Sequence, residues 1–186
     1  LIDITPFETA VKQASGDVIV TSCGFLSYWQ YHLAALTPKP FISSALMGLN
    51  DLAKHYCAGE VLILTFDADS LTSAHLGTHT GYAKGIVGLP KTAHLRHVIT
   101  ANAPDLNADL ARAEVVQTVR DNLRPQHKHI LLECTNLPPY KAALQDAFGL
   151  PVTDILTLIS AVKPDAVRPE FRSDCDQLIH CPPSTL

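Results

Sequence analysis

Short runs of consecutive apolar, often β-branched residues decide what this chain can become: DVIVTS at 17–22, PFIS at 40–43, VLILT at Val61–Thr65, HILLE at 129–133 and PVTD at 151–154. A strand with one wet face alternates apolar and polar residues. Most of these runs do not alternate, so both of their faces are expected to be covered. The stretches between them carry apolar residues at three- and four-residue steps: Leu26, Trp29, Leu33 and Leu36; Leu46, Leu49, Ala53 and Tyr56; Leu110, Val116, Val119 and Leu123. Strands alternating with such amphipathic helices build right-handed βαβ units around a parallel sheet. The expectation is therefore an α/β fold, with the pattern fading into a tail after about Lys163.

Composition narrows the function classes. The chain has 186 residues, 47% of them hydrophobic and 17% charged, which suits a packed core and argues against disorder. Eighteen acidic residues against 14 basic ones give a net charge of −4, and no basic stripe invites nucleic acid. No stretch approaches the ~18 consecutive apolar residues of a membrane span. Cys23, Cys57, Cys134, Cys175 and Cys181 are odd in number and form no CxxC pair. They read as reduced thiols of a cytoplasmic protein.

The chain also echoes itself. Laying 17–26 (DVIVTSCGFL) on 128–137 (KHILLECTNL) puts Cys23 on Cys134, an offset of 134 − 23 = 111. The next strand candidates begin at Pro40 and Pro151, again 111 apart. A constant offset across strand, cysteine and following strand is what a duplicated lobe leaves behind. The expected lobes are 1–59, with 155–186 returning to it as helix and tail, and 60–154. By the same offset the run Val61–Thr65 calls for a twin before Leu1, so a first strand and about 50 residues with it are expected to precede this sequence.

Each echoed cysteine stands at the carboxyl end of a strand candidate, the edge where open α/β sheets bind ligands. The amino end of a following helix there would favour a thiolate. A lone cysteine in such a place is usually packing; a matched pair points to chemistry. Two thiols across one cleft can serve as acid and base on opposite faces of a carbon, as inversion of a stereocentre requires. A cysteine hydrolase would want a histidine base, and no histidine has an obvious claim to that role. Gly24 is small enough to let a ligand approach the backbone. Thr21, Ser22, Thr65, Ser70, Thr72, Thr135 and Asn136 supply short polar groups near the strand ends.

TSCGFL at the first strand, LTFDADSLTSAHL after the third, and ECTNLPPY followed by GLPVTDILTLI resemble the aspartate/glutamate/hydantoin racemase superfamily over roughly residues 17–160. The resemblance implies two pseudo-symmetric lobes, each with a parallel sheet flanked by helices, and one catalytic cysteine per lobe. It implies an isomerase of amino-acid metabolism that works without cofactor or metal on a small-molecule carboxylate, with a homodimer as a further expectation. Carried over, Cys23 and Cys134 form the acid/base pair. Thr135, Thr65 and Ser70 match the family's carboxylate-holding positions, with Ser22, Gly24 and Asn136 beside them. One departure stands out: the family's usual cysteine-asparagine-threonine reads Cys23-Gly24-Phe25 here. The superfamily also contains one-cysteine decarboxylases and maleate-type cis–trans isomerases, and these, with a non-catalytic ligand-binding relative, are the alternatives.

Other features receive blander readings. His75 and His79, and likewise His94 and His97, have helical spacing without a third ligand at matching distance, so no metal site is expected. Cys175, His180 and Cys181 read as an exposed tail, and Cys57 as mid-helix packing beside Tyr56. Gly81, Gly85 and Gly88 form no dinucleotide fingerprint and follow no clear strand. Glu133 and Asp67 lie at the same edge as the cysteines and could tune the thiols.

Overall fold

The computed structural model describes residues 3–171. Helix α1 (Thr5–Gln13) precedes strand β1 (Ile19–Val20), α2 (Gln30–Ala34), β2 (Phe41–Ile42) and α3 (Leu49–Leu52). Then follow β3 (Val61–Thr65), β4 (Ile86–Gly88), α4 (His94–Ala101), α5 (Ala108–Asn122), β5 (His129–Leu132), α6 (Lys141–Phe148), β6 (Val152–Thr153) and α7 (Ile155–Val162). The strands form two parallel sheets: β1 with β2, and a second in the order β4-β3-β5-β6. This is the α/β architecture, two parallel sheets flanked by helices, that the apolar runs call for.

Strand β4 has no counterpart in the sequence reading. It is three residues long and ends in Gly88, where a Cβ would lie 2.7 Å from the Ala68 backbone nitrogen. Close approach of two backbones demands glycine there, and the glycines hide the strand. The outer strands are also shorter than their sequence runs. Between β1 and β2, and between β5 and β6, only two residues of each strand are paired.

The covered faces are visible in β3 and β5, every residue of which is buried. Leu62, Leu64, Ile130 and Leu132 pack toward Leu95, Ala111, Val115, Val119 and Leu144 of α4, α5 and α6. Val61, Ile63 and Leu131 point the other way, onto Leu46, Leu49 and Leu52. Period-two alternation thus sorts one apolar run into two cores. Helix α7 returns to the first sheet, where Ile155 packs with Ile42 and Ala45, and Lys163 Nζ meets Asp17 Oδ2 at 2.6 Å.

The internal echo extends to strand register. Ile19 pairs Phe41 and Val20 pairs Ile42; Ile130 pairs Val152 and Leu131 pairs Thr153. Each of these four residues of the first sheet lies 111 positions before its counterpart, as 130 − 19 and 152 − 41 show. The helices after the cysteines keep the offset too, since α2 begins at Gln30 and α6 at Lys141.

A buried polar group ties the far side of the second sheet together. Lys141 Nζ donates to Thr157 Oγ1 at 2.7 Å and lies 3.6 Å from Asp154 Oδ1, which caps α7 through the Thr157 N–H. His129, 3% exposed, sets Nε2 against Thr153 Oγ1 at 2.9 Å. Burial, helped by the Lys141 charge, pushes its pKa from 6.5 down to about 4. The folded ring resists a proton that the unfolded chain accepts. Its stabilising contribution is therefore complete above pH 6.5 and is lost as pH falls through 4. Urea midpoints should drop over that interval by the equivalent of about 3 kcal/mol from this group. A His129→Asn variant should lose less over the same interval.

Candidate active site

Both thiol loops hang from carboxyl ends of strands. Cys23 follows β1 in extended conformation and opens the 3-10 turn Gly24–Trp29. The Thr21 hydroxyl holds that loop by facing the carbonyls of Ser43 at 2.6 Å and Cys23 at 3.0 Å. Cys23 is exposed and lines a cavity of about 240 Å³ with Thr21, Ser22, Val20 and Leu26. Cys134 follows β5 and is only 6% exposed, packed in the same core as Leu89, Leu132 and Leu137. Burial pushes its thiol up to about 11; the Asn136 N–H pulls it back, and the charges of Glu133 and Cys23 raise it further. The Asn136 side-chain amide donates to Sγ at 3.7 Å.

The expected help from a following helix is not there. Helix α6 starts only at Lys141, after the 3-10 turn Pro138–Tyr140, and α2 has five residues. Desolvation outweighs what remains of the dipole, so Cys134 rests as a thiol.

Two contacts press the loops against each other. The Thr135 hydroxyl donates to the Ser22 carbonyl at 2.7 Å. Gly24 backs onto Glu133: a Cβ there would collide with Oε1 and come within 2.9 Å of both the carboxyl carbon and the Glu133 carbonyl oxygen. The space beside Gly24 is thus filled by Glu133, from the end of β5. Glu133 is 1% exposed; its Oε2 accepts from the Thr65 hydroxyl at 2.7 Å, while Oε1 has no partner. Burial raises its carboxyl to about 7, against the opposing pull of Thr65.

The remaining sequence candidates fall into two groups. Ser22 and Asn136 are exposed beside the thiols, and Thr135 is half-buried between the loops. Thr65 is fully buried and committed to Glu133. The Ser70 hydroxyl donates to Asp67 Oδ2 at 2.8 Å. Burial pushes the Asp67 carboxyl up, but Ser70, Arg96 (Nη2 at 2.7 Å) and the Asp69 N–H together hold it below its ordinary value.

Three of the four paired histidines have other occupations. His75 Nδ1 meets Thr72, His79 Nε2 faces Asn50 Oδ1, and His94 Nε2 accepts from the Asn107 N–H. Among the described residues no three His, Cys, Asp or Glu side chains gather as a metal ion would require. Cys57 is not mid-helix packing: it is exposed and caps the 3-10 turn Ala58–Glu60, because α3 has already ended at Leu52. Cys175, His180 and Cys181 lie outside the described residues. No described helix is long and apolar enough to cross a membrane.

Sequence reasoning missed the aromatic pair Phe25–Phe66, whose rings stack at 5.7 Å with 25° between planes. His75 extends it at 5.6 Å from Phe25. The signal was available, since Phe25 follows Cys23 by two residues and Phe66 directly follows β3.

Two parallel sheets whose carboxyl edges carry a buried and an exposed thiol on touching loops define an α/β protein with two cysteines brought close together. Comparison with known proteins is more particular. No protein-family model matches the chain. It is 31% identical over 166 residues to dimethylsulfoniopropionate lyase 5 of Emiliania huxleyi, covering 82% of this chain and 32% of that protein. Lyase 6 of the same organism is 28% identical over 169 residues, covering 83% and 42%. The dimethylsulfoniopropionate lyase of Durusdinium sp. clade D is 27% identical over 155 residues, covering 78% and 51%. The chain thus spans about a third to a half of the length of these curated relatives.

These relatives overturn the racemase reading. They are named lyases, and with that name the assignments to the aspartate/glutamate/hydantoin racemases, to an isomerase and to amino-acid metabolism are withdrawn. The physical reason is plain. A thiol placed to take a proton from carbon serves an elimination as well as an inversion, and the motifs report only the thiol.

Proposed function

We propose that this chain bears a lyase site that releases dimethyl sulfide from dimethylsulfoniopropionate or a closely similar sulfonium carboxylate, with Cys134 as the base. The observation that carries the reading is the similarity, over about four-fifths of the chain, to proteins of that name. In the reaction the Cys134 thiolate takes a proton from the carbon next to the carboxylate. The C–H electron pair becomes the C=C bond of acrylate, and the C–S pair leaves with sulfur as neutral dimethyl sulfide. The leaving group needs no proton, so one base suffices.

The surroundings of Cys134 suit that role. A thiol pushed up to about 11 is a strong base once ionised. A sulfonium cation in the cleft supplies the positive charge that this apolar site lacks. Phe25 and Phe66 offer ring faces and apolar surface to the two methyl groups and the cationic sulfur. Ser22, Thr135 and Asn136, where the loops touch, hold the carboxylate. Gly24 admits Glu133, while Thr65 and Ser70 act indirectly, through Glu133 and Asp67. Cys23 forms the opposite, exposed wall. The site lies between a first lobe, 1–59 with the residues from 155 packed back on it, and a second lobe, 60–154. No cofactor enters this scheme, and reduced thiols suit a cytoplasmic setting.

The test is direct. Incubated with dimethylsulfoniopropionate, the protein should release dimethyl sulfide into the headspace and acrylate into solution in equal amounts. Deuterium on the carbon beside the carboxylate should slow that release. Evolution of carbon dioxide instead, or neither product, refutes the reading.

A further inference from the structure

Glu133 combines three features that no structural role requires together. It is sealed, at 1% exposure, where the Cys23 loop meets the end of β5. One oxygen accepts from Thr65, but the other has no partner among the described residues. The first lobe has a glycine at the one position where any side chain would strike that oxygen. Burying an unpaired polar oxygen is costly in either state, but burying it as an ionised carboxylate costs far more than burying it as the neutral acid. The buried carboxyl therefore favours its neutral form, and it is next in sequence to the thiol proposed as base.

We propose that Glu133 gates Cys134: its carboxyl, closed in against Gly24, must hold a proton before the thiol can readily lose one. Glu133 is a positioning residue in this scheme, since it acts on the charge of Cys134 and not on the substrate. The inference rests on the reading of Cys134 as the base. The titratable groups acting on Cys134 are few. Glu133 and Cys23 are the charges that raise it, and Asn136 contributes hydrogen bonds alone. At the end of β3, Thr65 is uncharged and Asp67 is neutralised by Arg96. On the first residue of α6, Lys141 is engaged by Thr157 and Asp154. Glu133 is thus the charge that changes near neutrality, because its carboxyl titrates at about 7. With Glu133 ionised, the thiolate would be a second negative charge on the next residue of the same buried strand end.

The experiment follows alkylation of Cys134 by iodoacetamide as a function of pH, read by mass spectrometry of its own peptide. In the unaltered protein the logarithm of the rate should rise with pH, break to a lower line near pH 7, and rise again. Glu133→Gln keeps an acceptor for Thr65 and mimics the neutral acid. Its profile should show no break. The two proteins should react alike below about pH 6, with the variant about tenfold faster above about pH 8. A constant ratio at every pH would mean that the substitution merely loosens the packing, and it overturns the proposal, as does an unchanged profile. If the variant does not fold, the unaltered protein decides alone, because an unbroken line refutes the gate. A broken profile in a protein that releases no dimethyl sulfide would sink the lyase reading and leave the gate standing.

Discussion

Cys134→Ser should reduce dimethyl sulfide release by roughly a thousandfold, whereas Cys23→Ser should cost at most about tenfold. The asymmetry follows from the chemistry. Elimination draws one proton from carbon and returns none, so it needs one base. A serine at position 134 keeps the shape of the site but not the ability to ionise, since a hydroxyl holds its proton far more tightly than a thiol. A serine at position 23 keeps a small polar wall on an exposed loop. Burial is the reason Cys134 is the proposed base, because a base shielded from water is not levelled by hydration. The measurement is kcat/KM by headspace assay on both variants, with circular dichroism to confirm folding. Equal, near-complete losses at both positions would contradict a single base. A larger loss at Cys23 than at Cys134 would move the base to Cys23.

Much of this arrangement could be read from residues alone, for definite physical reasons. The runs VLILT and HILLE are fully apolar because β3 and β5 are covered on both faces, and a strand of that kind announces itself. The 111-residue echo was legible because the duplicated strands kept their register as well as their cysteines. Strand β4 was not legible, since Gly88 serves a close backbone approach that strand propensity does not describe. At the site, the strand-end positions of both cysteines were legible. The ionisation of Cys134 was not: the sequence suggests a helix start near the thiol, but the chain runs through a 3-10 turn first and buries the sulfur among leucines. Reaction type was equally out of reach, because inversion and elimination begin with the same proton transfer. Glu133 looked like one more charged strand end. Only folding brings Gly24 against it, across 109 positions of sequence.

That contact makes Gly24→Ala a severe substitution. Gly24 is not among the glycines with positive φ, which are Gly77 and Gly149, so alanine would meet no backbone strain there. The obstacle is space. The new methyl would strike Glu133 Oε1 and stand 2.9 Å from the Glu133 carbonyl oxygen. Glu133 cannot swing aside easily, because it is buried on all sides and held by Thr65. The Cys23 loop must then retreat, and the Thr135–Ser22 hydrogen bond that joins the two thiol loops must stretch. Overpacking of this kind costs about 2–3 kcal/mol, read as a lower urea midpoint. Displacing a thiol loop by about 1 Å lowers kcat/KM by roughly a hundredfold. A second substitution separates the two contacts. Glu133→Ala removes the carboxyl but leaves the carbonyl oxygen in place, so the double variant should recover part of the stability lost by Gly24→Ala and not all of it. The two changes should be strongly non-additive. Stability and activity both unchanged in Gly24→Ala would mean that the two thiol loops do not meet at this point.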